Sequence, residues 1–151
     1  MKAKLLETLY ELSKKPYRRF FKTNEPWRVS VQELLKLPNT SLGFHLACFL
    51  LKHSFELQPK LESHDVYHVL TQTGISVPEE ISMQYYLFGN GKRSIYLYLV
   101  ITIGTLFYLN QFKNFRHAYS KGCRSLSFHQ IDFSKLVHLP IEEIRILFSI
   151  Q

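Results

Sequence analysis

The sequence predicts an all-α (mainly α) fold, a single-domain helical bundle spanning residues 1–151. Three observations carry that prediction. Apolar residues recur at three- and four-residue spacing in one segment after another. Helix-start signals precede several of those segments, as in Ser30-Val-Gln-Glu33, Thr40-Ser41 and Ser76-Val-Pro-Glu79. There is no strand-turn-strand series and no alternation of strands with helices.

In chain order, residues 2–14 carry Leu5, Leu9 and Leu12 on one face, widened by Leu6 and Tyr10, and Pro16 ends that helix. The stretch 16–27 then mixes cations with aromatics. It reads as a surface turn with its rings tucked inward, or as an interfacial membrane contact. A short helix starts at Ser30 and ends near Pro38. The next is capped by Thr40 or Ser41 and carries Leu42, Leu46, Phe49 and Leu50 on one face. His45 and His53 lie on it without a metal-type residue at i+3 or i+4, so both read as structural or exposed. A helix over 62–72 follows, with Gly74 as its stop, and another begins with Pro78 in its first turn. Gly89-Asn90-Gly91 breaks the chain.

Residues 94–109 contain no charge, yet are shorter than the roughly 18–20 residues of a membrane span. A fully buried core helix is the first expectation. A helix lining an apolar ligand cavity, or lying against lipid, is the second. Gly104 and Thr102 permit close approach, and the helix is expected to run on through Asn110–Ser120 and stop at Gly122. Residues 123–133 are less regular and can hold an extended piece. Pro140 opens a last helix whose first turn holds Glu142 and Glu143.

Composition narrows the function. A net charge of +7 fits a plain basic surface, or attraction to an anionic membrane or polymer. No nucleic-acid-binding motif accompanies it, so no nucleic-acid partner is expected. Cys48 and Cys123 form no paired motif; Cys48 reads as a buried thiol, which fits a reducing compartment. The first 21 residues lack the continuous apolar core of a signal peptide, and Glu7 and Glu11 argue against a transit peptide.

The chemistry concentrates in Glu62-Ser-His-Asp-Val-Tyr-His-Val-Leu70. On a helix, with His64 at 0°, His68 falls near 40° and Asp65 near 100°. Val66, Val69 and Leu70 occupy the opposite side. Two histidines at i, i+4 can hold one divalent metal. Imidazole suits zinc, iron, nickel or copper, and an added carboxylate favours zinc or iron. Asp65, one of two aspartates in the chain, is three residues from His68 and is either a ligand or the group that orients that ring. Of the next two acids, Glu79 belongs to the Ser76 capping box, which leaves Glu80 free to turn toward the preceding helix. The motif lacks the glutamate after the first histidine that zincins use. Its adjacent His-Asp pair occurs in HD-type phosphohydrolases, a minor alternative that would need His45 or His53 together with Asp132.

His64-Asp65-x-x-His68, followed by eleven residues and Glu80, resembles the signature of the Coq four family of ubiquinone (coenzyme Q) biosynthesis proteins. Residues 37–50 are similar to that family's Pro-x-x-Ser-Leu-Gly helix start. Ala118–Gly122, Ile131–Leu136 and Leu139–Arg145 are similar to its C-terminal stretch, so the resemblance runs over about residues 28–150 in the right order. The chain departs from the pattern in reading Gln-Pro-Lys-Leu-Glu-Ser before the motif, where an arginine is common, and Thr71-Gln-Thr-Gly-Ile75 after it.

The resemblance implies a divalent metal held by His64, Asp65, His68 and Glu80, usually zinc, with iron and magnesium as alternatives. It implies a prenylated aromatic lipid as ligand, other quinone-biosynthesis proteins as partners, and peripheral attachment to the inner, cytoplasmic face of a membrane; the sequence leaves the oligomeric state open, a homo-oligomer included. The activity it implies is oxidative decarboxylation or hydroxylation of a prenylated benzoate precursor. The alternative is a non-catalytic scaffold or lipid-binding module that positions partner enzymes. No residue is assigned a catalytic role.

Overall fold

The computed structural model describes residues 26–59 and 61–151. The helix expected over 2–14 and most of the stretch 16–27 lie outside them. The described residues form seven α-helices: α1 (Val31–Leu34), α2 (Leu42–Lys52), α3 (Glu62–Thr71), α4 (Val77–Gly89), α5 (Ile95–Phe107), α6 (Phe112–Arg124) and α7 (Ile141–Leu147). Two 3-10 turns, Leu109–Gln111 and Phe133–Lys135, complete the order. Among the described residues there is no strand, only an isolated antiparallel bridge between Ser41 and Pro140. The fold is all-α, as the periodicity predicts.

The helices start where the side chains allow. Ser30 and Glu33 cap α1 reciprocally, and Ser76 and Glu79 do the same for α4. The Ser41 hydroxyl accepts from the Phe44 N–H at 3.2 Å to open α2, and Ser94 accepts from the Leu97 N–H to open α5. Each satisfies a donor that the first turn would otherwise leave orphaned. The stop of α3 differs from expectation. Gln72, not Gly74, takes the left-handed conformation (φ 53°), while Gly74 leaves room for the Glu79 carboxylate.

The core lies where α2, α3 and α4 meet. Leu46, Leu50, Val66, Leu70, Met83 and Leu87 are its fully buried centre, each worth on the order of 1.5–3 kcal/mol for its burial. Cys48 points the other way and is exposed, against the expectation of a buried thiol, because Leu46, Ala47 and Leu50 take the inward face of α2.

α5 also corrects the sequence reading. Only Leu97, Ile101 and Gly104 are buried; Ile95, Leu99 and Leu106 are 67%, 54% and 68% exposed. The helix does not continue to Gly122. Tyr108 leaves helical geometry, and the chain turns by 103° into the arm that carries α6. The physical reason is packing on α4. Gly122 lies inside α6, with an added Cβ there falling 2.9 Å from the Tyr86 carbonyl carbon and 3.0 Å from the Asn90 nitrogen. At Gly89 the added atom would meet Cys123 N at 2.9 Å. The two glycines let α4 and α6 touch backbone to backbone, an approach a straight α5–α6 rod would forgo. Among the described residues no single helix is long and apolar enough to cross a membrane.

The irregular segment after α6 is held by side chains rather than by a strand ladder. Buried Asn90 donates to the Leu126 carbonyl at 2.9 Å and accepts from the Phe128 N–H at 3.0 Å. The Tyr67 hydroxyl donates to the His129 carbonyl at 2.9 Å.

Candidate metal centre

α3 and α4 are joined by only five residues, so the last turns of α3 and the first turn of α4 lie side by side. His64 and His68 are one turn apart on α3 and face the same way. Glu79 is committed to Ser76, accepting from its N–H at 3.0 Å and from its hydroxyl. Glu80, one residue on, is rotated by about 100° and faces α3. Its Oε2 lies 3.4 Å from His64 Nε2, and its Oε1 lies 3.1 Å from His68 Nε2. The two Nε2 atoms are 3.2 Å apart. One ligand atom from each of the three residues falls within 4.8 Å of the others.

Hydrogen placement follows from the partners. His68 Nδ1 faces the Thr73 carbonyl at 3.1 Å. A carbonyl only accepts, so Nδ1 carries the hydrogen and Nε2 is left with its lone pair. That lone pair then confronts a carboxylate oxygen at 3.1 Å. Two acceptors sit this close only with a cation between them, either a proton or a metal.

The electrostatics agree. Burial opposes the charge on Glu80, yet its contacts with His64 and His68 outweigh burial and hold the carboxyl well below its usual 4.5. Burial likewise opposes charge on His68, but the hydrogen bond and charge of Glu80, the Thr73 carbonyl and the charge of Asp65 together raise it above 6.5. Burial wins at His64, which is held below 6.5 despite Glu80. One carboxylate therefore serves two rings, and it favours a proton on His68 over one on His64.

The surroundings are tailored to His68. Its side chain is 2% exposed, against 20% for His64 and 15% for Glu80. The Phe49 ring of α2 stacks on it, 5.4 Å between centroids and 17° from parallel. Water reaches the group from the His64–Glu80 side.

The expected site residues divide. His64, His68 and Glu80 come together as one group. Asp65 stands outside that group and acts on His68 through its charge. His45, His53 and Asp132 do not join it either. His45 is exposed, His53 packs against Phe49 and Phe55, and exposed Asp132 caps the second 3-10 turn by accepting from the Ser134 N–H. Thr73 and Phe49 escaped the sequence reading. One acts through a backbone carbonyl, which has no residue signature. The other reaches the site from the preceding helix, beyond the reach of any spacing within one helix.

No family model matches this chain, and no curated protein matches it. Among solved structures it is similar to the crystal structure of a Nostoc punctiforme PCC 73102 protein provisionally named for ubiquinone biosynthesis. The TM-score is 0.70 at 20% identity, over 100% of this chain and 82% of that one. The two chains share a fold.

Proposed function

We propose that this chain is a metal-binding, prenyl-lipid-associated protein of quinone biosynthesis, of the Coq four type. In this reading it assists oxidative decarboxylation or hydroxylation of a prenylated aromatic precursor. The observation that carries the metal is the convergence of His64 Nε2, His68 Nε2 and the Glu80 carboxylate in one group, with the other His68 ring nitrogen already donating to Thr73. The donor set fits. The two ring nitrogens are 3.2 Å apart, each faces one Glu80 oxygen, and one ligand atom from each of the three residues lies within 4.8 Å of the others, close enough for all three to reach one ion. Two nitrogens and one carboxylate favour zinc or iron over magnesium, which prefers an all-oxygen shell.

His64, His68 and Glu80 would hold the ion. The Thr73 carbonyl orients the His68 ring, the charge of Asp65 makes that ring a stronger donor, and Phe49 keeps water from its inner side. A divalent cation bound there supplies a Lewis acid for a carboxylate or phenol oxygen. Held by three protein ligands, the ion would keep a position for such an oxygen, as catalytic rather than closed structural sites do.

The membrane and lipid part of the proposal is supported by α5 and the elbow after it. Leu106, Leu109 and Phe112 are 68%, 65% and 48% exposed, and Lys113 and Arg116 follow directly. Apolar side chains backed by cations suit an anionic bilayer surface. The same exposed face also supports the second reading, a scaffold that positions partner enzymes and converts nothing itself.

Elemental analysis with native mass spectrometry of the purified protein tests both parts. Wild-type chain is expected to retain one metal ion per copy and a prenyl lipid, and His64→Ala to lose the metal. A wild-type chain that holds no zinc or iron after purification and reloading refutes the metal assignment. Metal bound without turnover of any prenylated benzoate selects the scaffold.

A further inference from the structure

Gln84 lies on α4 one turn beyond Glu80. It is 1% exposed, and its Oε1 has no hydrogen-bond partner among the described residues. It is the one such side-chain atom among them. An orphaned amide oxygen inside a protein is costly, so its retention calls for a partner outside the described residues.

Helix geometry gives the direction in which the Gln84 side chain extends. Residues four apart share a face, and Gln84 is about 40° from Glu80. Helical side chains also lean toward the N-terminus and cover the preceding turn. The turn that Gln84 covers is the one carrying Glu80. The opposite side of α4 is spoken for: Tyr85 stacks on Phe115 and bonds Thr105, and Gly89 abuts α6. Gln84 is therefore a buried acceptor on the face of α4 that carries Glu80, one turn from the candidate ion site.

We propose that Gln84 accepts a hydrogen bond from an O–H group held at the metal, either a metal-bound water or the hydroxyl of a phenolic ligand. This inference rests on the metal reading of His64, His68 and Glu80. A metal-polarised O–H is a strong donor, and the amide oxygen, being neutral, receives it without adding a second charge beside Glu80. The role is to orient the non-protein ligand of the ion.

Gln84→Met keeps the length and helix propensity while removing the acceptor, and Gln84→Glu keeps an acceptor. Zinc affinity is measured by calorimetry on metal-stripped protein, with zinc alone and with zinc plus 4-hydroxybenzoate. The melting temperature of the metal-free proteins is recorded in parallel. Gln84→Met is expected to melt no lower than wild type without metal, because it removes an unpaired buried oxygen. It is expected to bind zinc about 10–100-fold more weakly, the usual loss for an outer partner of a metal site; Gln84→Glu retains zinc. Weakening with zinc alone assigns the donor to water, and weakening only with the hydroxybenzoate assigns it to the ligand hydroxyl. Unchanged affinity in both arms overturns the proposal, as does a Gln84→Met chain that melts lower or fails to fold, because the oxygen then has an internal role. Wild-type protein that binds no zinc overturns this inference and the metal reading together.

Discussion

Replacing Gly122 by alanine should destabilise the fold by about 2 kcal/mol. The new Cβ falls 2.9 Å from the Tyr86 carbonyl carbon and 3.0 Å from Asn90 N, and closer still to the Tyr86 oxygen. Ordinary contact begins at about 3.4 Å, so the α4–α6 gap must widen by roughly half an ångström at the carbon and more at the oxygen. All three obstructing atoms are backbone and cannot turn aside. Overpacking of this kind costs about 1–3 kcal/mol, and the rigidity of the neighbours puts it at the upper end. Alanine recovers about 1 kcal/mol of helix propensity. The remaining 2 kcal/mol corresponds to a melting temperature lower by about 4–8 °C for a chain of this size. Gly104→Ala is the internal control. It gains the same propensity, and its Cβ meets only side-chain atoms, those of Ile81 at 2.7 Å, which yield more readily than backbone. Urea unfolding of both variants checks the ordering. If Gly122→Ala is as stable as Gly104→Ala, the α4–α6 backbone contact is not what sets the packing.

Arg145 donates to the Val69 and Leu70 carbonyls at the end of α3 and to Glu142. Arg145→Ala should cost about 1.5–3 kcal/mol, typical of hydrogen bonds from a charged group. Glu142→Ala, at a carboxylate 70% exposed, should cost under about 1 kcal/mol; equal losses in urea titrations would contradict this division. Glu80 is ionised in the fold below its usual 4.5. The stability it adds to metal-free protein is therefore present above pH 4.5 and lost as pH falls below it. The stability gap between wild type and Glu80→Gln should close in acid, and a gap constant from pH 7 to pH 3 would show that the carboxylate is not held by the two histidines. Substituting Leu109 and Phe112 by glutamate should lower binding to anionic vesicles at least tenfold in a flotation assay with the fold unchanged by circular dichroism, and unaltered binding would remove the elbow as the contact.

Local chemistry is what the sequence by itself determined. The reciprocal Ser30–Glu33 and Ser76–Glu79 caps, the Ser41 start and the sector shared by His64 and His68 depend on residues three or four apart, where helix geometry alone decides who meets. The same reasoning committed Glu79 to capping and left Glu80 to face α3. Contacts across the chain were decided only by the tertiary structure. An uncharged run such as 95–107 does not say how many of its sides will be covered, and α5 covers one. A glycine reads equally as a stop or as a point of contact; Gly122 is a contact because Gly89 waits on α4 to meet it. Cys48 lost its expected burial to neighbours on its own helix. The Thr73 carbonyl, the Phe49 ring and the orphaned oxygen of Gln84 take their meaning from partners that no spacing encodes. They become visible once α2, α3 and α4 close around His68.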